Sequence, residues 1–479
     1  MRRYRARLQL LLFLLAFCTL AVAGEEPAVR DHAAALVAAA TGDEAARRAF
    51  IETRLAPGIR ARNGDAELMD ILAMVGEDLG APAAQVRITE FNPTEHGGTV
   101  VLAEPGGQRI WLSLHLSGET PPRIERFGLR PLPPLVAPVG IEQLPAAIEA
   151  HLDQAVAAGR FSGAVLVARG DQIVFARAYG LADRASGRAN TLDTPINLGS
   201  MNKMFTAVAI GQLVAAGKLD WQDTVGEHLP DYPNAAVRDA VTIHQLLTHT
   251  SGVGSYWNDA YESRKGEIDS QAKFAATFAA EPLFFEPGTG SRYSNGGPVI
   301  LGLVIEKLSG MDYYEYVRKH IYAPAGMTRA AHYLSNDTEA GYAVGYERLP
   351  DGRLRDNAGF LGLRGSAAGG GYASANDLLA FARALRAGKL LSRDQLELLW
   401  TPLGTPGEGM GYGYLFGVGR DNGLRWVGHN GGAPGISADF RYYPDEDLTV
   451  VVLANYDSAA IRVSGWVNAL VSGSIAAHR

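Results

Sequence analysis

The sequence predicts an α+β chain in two units, and three patterns carry that prediction. Residues 24–130 read as helices followed by alternating strands. Residues 141–479 place strand patterns at both ends with helices between them. Four prolines within residues 131–140 separate the two units. Strands from opposite ends of one segment meet in a single antiparallel sheet, and the intervening helices form a second lobe. The larger unit is therefore expected to be two-lobed, a sheet flanked by helices beside a helical lobe, with its site at the seam.

At the N-terminus, Arg2, Arg3, Arg5 and Arg7 precede an apolar run from Leu8 to Ala23 that closes in Ala21-Val22-Ala23. This pattern predicts a secretory signal peptide over residues 1–23 and export, to a periplasm or to the medium. An uncleaved anchor is the competing reading, but the run is short for a membrane span. Cys18, the sole cysteine, follows Phe17 rather than a small residue, which argues against lipidation. Its loss with the leader leaves neither disulfides nor thiol catalysis. No later apolar segment is long enough to span, so no stable membrane insertion is expected after cleavage.

The mature chain is acidic. The full chain has 44 Lys+Arg against 51 Asp+Glu, a formal charge of −7, which becomes −11 without the leader's four arginines. With no basic run, phosphate-based nucleic-acid binding is excluded as an expectation.

In the first unit, Ala33–Ala40, Ala45–Leu55 and Glu67–Leu79 read as helices. Arg109–Leu116 and Arg123–Phe127 alternate apolar and polar residues, as half-buried strands do. No chemical constellation emerges there. His32, His96 and His115 lack metal-ligand spacing, and nothing names a partner for this domain. Pro131, Pro133, Pro134 and Pro138 predict a stiff linker over 131–140.

The second unit opens with a predicted helix over Ile141–Ala158, then a hairpin of Gly163–Ala168 and Ile173–Tyr179 around a Gly170-Asp171 turn. Strand patterns return at Tyr412–Val418, Leu424–Gly428, Ala438–Tyr443 and Leu448–Asn455, before a last helix over Ser458–Ala477.

Chemistry is concentrated at Ser200-Met-Asn-Lys203. If the following stretch, Met204–Ala216, is helical, the hydroxyl and the amine share a face. Met201, Met204, Phe205, Val208 and Leu213 recur at helical spacing, and Gly217-Lys218 supplies a stop. A serine at such a start faces unpaired N–H groups and a favourable dipole. Burial and that dipole push the lysine toward its neutral, proton-accepting form. The result is an activated nucleophile.

Other signals are weaker. Gly211 to Lys218 has the wrong spacing for a phosphate loop, and Leu219 follows it. His244 and His249 are five apart, unlike zinc ligands on one helix face, and read as packing or capping residues. Ser251 lacks a nucleophile-elbow setting and reads as a turn. Gly369-Gly370-Gly371 suggests a close backbone approach near the cleft, followed by Ser374 as a helix N-cap with Asp377 at the third position. Tyr256 and Trp257 read either as pocket lining or as exposed loop hydrophobes.

Two further motifs follow in order: Tyr293-Ser294-Asn295 and His429-Asn430-Gly431-Gly432. Together with Ser-x-x-Lys, this set resembles the serine hydrolases of the class C β-lactamase and D-alanyl-D-alanine carboxypeptidase family, which includes D-aminopeptidases and esterases. Val241–Gly252, Tyr322–Met327 and Ala368–Ser374 share the likeness, which spans about Leu144 to Ala469 and leaves out the N-terminal domain. The resemblance implies a β-lactamase-like fold and acyl transfer without metal or organic cofactor. Ser200 would attack a carbonyl, and Lys203 or Tyr293 would take its proton, with the pair titrating together. A nearby cation is expected to lower the tyrosine's pKa. Asn295 would bind Lys203 and the acyl-side amide or ester. Gly432 would join Ser200 as oxyanion donor. Asn430 and Gly431 would line the substrate strand. His429 replaces the lysine of β-lactamases, and a mostly neutral imidazole would hold a substrate carboxylate poorly. The implied activity is hydrolysis of small esters, amides or D-amino-acid peptides through an acyl-enzyme. A β-lactamase, or a non-catalytic penicillin-binding sensor of cell-wall fragments, is the alternative.

Overall fold

The computed structural model describes residues 26–79, 81–104, 109–132, 134–337, 341–349, 352–402 and 410–479. The expected signal peptide lies outside them. The chain divides into two compact units, one ending at Val136 and the other starting at Ala137.

In the first unit, a helix over residues 26–40 precedes helices Glu44–Arg54, Pro57–Asn63 and Asp65–Leu79. Asp43 caps the second of these by accepting from the Ala46 N–H, satisfying one donor that the first turn leaves unpaired. Strands β1 (Arg87–Thr94), β2 (Gly97–Ala103), β3 (Arg109–Leu116) and β4 (Ile124–Leu132) form an antiparallel meander in that order. Leu36, Phe50, Leu72, Leu102 and Leu112 belong to the core that helices and sheet share. Two expectations shift here. β1 and β2 were not anticipated, and β4 runs two residues into the expected linker. Pro131 pairs with Ile110 on the last strand in the sheet's order, where a missing N–H removes no ladder bond.

The second unit begins with α1 (Leu144–Ala157) and the hairpin β5 (Gly163–Arg169) and β6 (Gln172–Tyr179). Its remaining main strands lie far along the chain: β7 (Met410–Tyr412), β8 (Gly417–Asp421), β9 (Leu424–Ala433), β10 (Ile436–Tyr443) and β11 (Leu448–Ala454). They form one seven-stranded sheet, ordered β7-β8-β9-β10-β11-β5-β6 with every pairing antiparallel. β11 pairs with β5, so the two ends of the unit meet as the pattern predicted. β11 is buried along its whole length, as a strand covered on both faces must be. The expected strand Tyr412–Val418 is instead two strands joined by a turn, where Leu415 takes a left-handed φ of 52°.

Between the sheet's ends lie α2 (Lys203–Ala215), α3 (Gly296–Ser309) and α4 (Ala375–Arg386), and α5 (Ala459–Ala477) closes the chain. α4 carries the predicted cap, with Ser374 Oγ accepting from the Asp377 N–H and the Asp377 carboxylate from the Ser374 N–H. α2 is buried on all faces rather than on one, from Lys203 to Gly211 without interruption. A helix apolar all round belongs in a core, and here it brings the lysine in with it.

Candidate active site

The nucleophile turn is held from four directions. Gly199–Asn202 forms a 3-10 turn that runs into α2, so Ser200 precedes the α-helix and Lys203 is its first residue. Gly199 has φ 50°, and its N–H donates to Asn197 Oδ1 at 2.9 Å. The Leu198 N–H donates to the Gly371 carbonyl at 2.8 Å. Asn202 Nδ2 donates to the Ser366 carbonyl at 3.1 Å. A Cβ on Gly369 would sit 3.1 Å from the Gly199 oxygen, and one on Gly371 only 2.3 Å from Asn202 Oδ1. The glycine run therefore lets a second backbone lie against the turn.

Lys203 is fully buried. Its Nζ lies 2.8 Å from Asn295 Oδ1, 2.6 Å from the Ala368 carbonyl oxygen and 3.2 Å from Ser200 Oγ. Burial alone drives its pKa well below the ordinary lysine value. A neutral amine has two N–H bonds and one lone pair. Two of its neighbours are carbonyl oxygens that can only accept, so they take both N–H bonds. The lone pair is left for the Ser200 hydroxyl proton.

Tyr293 completes the group. The residue is 48% exposed, yet its phenol is largely desolvated and interacts with Ser200. Lys203 Nζ lies 4.8 Å from the centre of its ring. Desolvation raises the phenol's pKa, outweighing the bond to Ser200. The sequence reading had a cation lowering it. An uncharged amine lacks that pull, and burial wins.

The oxyanion site follows from strand register. β9 and β10 are joined at Pro434-Gly435, with Ala433 opposite Ile436. In such a two-residue hairpin the closing pair exchange their backbone bonds, so the Gly432 N–H points the other way. β8 pairing ends at Gly428, which leaves that side of Gly432 to the nucleophile turn. A Cβ on Gly199 would lie 3.1 Å from the Gly432 nitrogen, and one on Gly431 would overlap the Leu198 oxygen at 1.9 Å. A Cβ on Gly431 would also lie 3.0 Å from the Ser200 nitrogen, so the Gly432 end of β9 lies against the backbone of Ser200.

The cleft above Ser200 has a volume of ≈ 400 Å³ and includes Tyr256, Trp257, Tyr293, Asn295 and Gly432 in its lining. Of the predicted residues, the structure brings together Ser200, Lys203, Tyr293, Asn295 and Gly432, with Gly431 packed behind the turn. It does not bring His429 or Asn430 into the cleft lining. Asn430 is exposed, while His429 is buried. The His429 imidazole meets Tyr412 Oη at 2.8 Å through Nε2 and the Asn430 carbonyl at 2.5 Å through Nδ1. Tyr412 Oη is in turn 3.3 Å from His249 Nε2, and His249 Nδ1 accepts from the Ser294 N–H at 3.2 Å.

Only one proton arrangement satisfies this chain. His249 donates from Nε2 to Tyr412, Tyr412 donates to His429 Nε2, and His429 donates from Nδ1 to the Asn430 carbonyl. Both imidazoles are then neutral. Desolvation by burial lowers His249 to about 3 and His429 to about 4. His249 also packs against Tyr293 with ring centres 4.5 Å apart and planes tilted by 45°, and it holds a left-handed φ of 59°. Such a conformation persists only where contacts enforce it. The sequence reading took His249 for a packing or capping residue and missed Tyr412 and the Ala368 carbonyl altogether. Nothing local marks these three, since their partners lie 17 to 165 positions away.

The family profile described as Beta-lactamase matches residues 148–471. Penicillin-binding protein 4* of Bacillus subtilis is 32% identical over 314 residues, 62% of this chain and 68% of that protein. Esterase EstB of Burkholderia gladioli is 33% identical over 332 residues, 60% of this chain and 83% of its own. A crystal structure of a penicillin-binding protein from Bacillus halodurans aligns with TM-score 0.62 and 33% identity, covering 67% of this chain and 98% of that one. The residues matched by the family profile fall within the larger unit. The chain belongs to the beta-lactamase family.

Proposed function

We propose that this protein is an exported serine hydrolase that forms an acyl-enzyme at Ser200 and acts on small esters or amides, with D-amino-acid peptides next. The observation that carries the reading is the Lys203 environment, where two carbonyl acceptors leave one lone pair facing Ser200 Oγ. In the forward step Ser200 Oγ bonds to the substrate carbonyl carbon and its proton passes to Lys203 Nζ. The oxyanion is held by the Ser200 and Gly432 N–H groups. As the bond to the leaving group breaks, Tyr293 delivers a proton to that group and is reprotonated from Lys203. Water then attacks the acyl carbonyl by the reverse proton path, freeing the acid and Ser200.

The position of His429 supports esters and amides over penicillins. A neutral imidazole engaged with Tyr412 is a poor holder for a β-lactam carboxylate. The likeness to esterase EstB supports the same order. Export rests on the predicted signal peptide. Among the described residues no helix is long and apolar enough to cross a membrane.

The test is a panel of chromogenic esters, D-alanyl anilides and a chromogenic cephalosporin, run on the parent and on Ser200→Ala. Turnover of esters, loss of it in the variant, and a mass increment on the parent's Ser200 peptide are the expected results. A Ser200→Ala variant matching the parent on every substrate would remove the nucleophile.

A further inference from the structure

One charged side chain lines the cleft among the described residues, and none of the three motifs supplies it. It is Arg364. It is also isolated in sequence, since no other residue from Asn357 to Asn376 is charged. Its Nε donates to the His332 carbonyl oxygen at 3.0 Å, and its guanidinium lies 3.6 Å from the centre of the Tyr314 ring. Tyr314 is fixed in turn by donating to the Gly365 carbonyl at 2.9 Å. These contacts hold the guanidinium plane without neutralising it. The carboxylates that act on Tyr314 are engaged elsewhere: Glu306 accepts from the Tyr313 N–H, and Asp269 pairs with Lys273 at 2.9 Å. Among the described residues no carboxylate forms an ion pair with Arg364. A guanidinium held by one edge and one face presents its terminal amino groups as a planar fork, which suits a carboxylate.

Ser200 and Arg364 share their cleft with a run of aromatic side chains. Asn295 Nδ2 donates to Ser255 Oγ at 3.4 Å, and Tyr256 and Trp257 follow in the chain. The Trp257 ring stacks on Phe360 with centres 5.3 Å apart and planes 20° from parallel. Phe360 is four residues before Arg364, and all of these but Ser255 line the cleft. The leaving group must lie at Tyr293, the proton donor, so the acyl part lies on the Asn295 side, along this wall.

We propose that Arg364 anchors a carboxylate carried on the acyl part of the substrate, so that the favoured substrates join an apolar or aromatic acyl body to a terminal anion. The proposal rests on the acyl-enzyme reading of Ser200. With His429 turned onto Tyr412, Arg364 is the cation that can do this in the cleft.

The experiment compares mono-p-nitrophenyl glutarate with p-nitrophenyl butyrate, which share a leaving group and differ at the acyl terminus. The readout is the ratio of their kcat/KM values in the parent, Arg364→Met and Arg364→Lys. The ratio should favour the anionic ester in the parent and fall about tenfold or more in Arg364→Met. Arg364→Lys should lie between, since an ammonium keeps the charge and loses the fork. Equal losses on both esters, or an unchanged ratio, would overturn the proposal. In the parent alone, free glutarate should inhibit butyrate ester turnover competitively and more strongly than glutaramide; equal inhibition overturns it without recourse to a variant. Butyrate turnover that survives in Ser200→Ala points instead to failure of the acyl-enzyme reading.

Discussion

Two buried clusters of bases lie side by side, and they differ in how their hydrogen bonds close. Around Lys203, two fixed carbonyl acceptors leave a lone pair over, and it faces a hydroxyl at the cleft floor. Along His249, Tyr412 and His429, each ring nitrogen and the phenol find a partner, and the chain ends on a backbone carbonyl. Burial shifts the bases toward their neutral forms in both places. What separates a reactive base from a scaffold is whether any bonding capacity is left over. By this criterion the proposed mechanism assigns the proton transfer to Lys203, and the chain of His429, Tyr412 and His249 ends in packing against Tyr293.

Variants can break the comparison in order of expected effect. Lys203→Met keeps the length and apolar bulk of the side chain but removes the lone pair. It should lower kcat for a neutral ester about 10³-fold, with a smaller change in KM, by steady-state kinetics. Gly431→Ala places a methyl group against the Leu198 oxygen and pushes β9 from the nucleophile turn. Loss of one oxyanion donor should reduce kcat about 10²-fold, while Gly432→Ala, whose Cβ meets no atom closer than 4.0 Å, should cost less. Tyr412→Phe orphans the His249 donor and the His429 acceptor. Its main effect should be about 2 kcal/mol of stability in denaturant unfolding, with less than a tenfold change in kcat.

The histidine chain also predicts a pH dependence that sharpens the contrast. His429 is lowered to about 4 from 6.5, so its neutral form is favoured on folding. As pH falls below 6.5 the unfolded chain gains a proton that the folded chain refuses until about 4. Stability is therefore unaffected above pH 6.5 and declines between 6.5 and 4, by about 3 kcal/mol from this residue. Unfolding free energies across that window should fall more gently in His429→Gln. An equal slope in the variant would detach His429 from the effect.

Much of this architecture is legible in sequence, and the exceptions have physical causes. Antiparallel strands with one wet face announce themselves, as Arg109–Leu116 did by strict alternation. β2 did not, because Gly97–Ala103 is buried on both faces and shows no period of two. β1 carries Asn92 and Pro93 and is mostly exposed, so it reads as loop. Ser200 and Lys203 are legible because local helix geometry sets their spacing, whereas Tyr293 and Asn295, some ninety positions away, entered only through the family resemblance. Arg364 and Tyr412 were not legible, because their roles depend on which distant loops pack together. A lone cation in twenty otherwise uncharged residues was the one available hint for the former.

The most direct measurement is the titration of the Lys203 amine itself. The chain holds seven lysines, so 13Cε signals from labelled lysine can be followed one by one across pH by NMR. One signal should titrate well below the ordinary 10.5 and vanish in Lys203→Met. If that signal instead titrated at the ordinary lysine value, Lys203 would be a cation at neutral pH, with no lone pair to take the Ser200 proton.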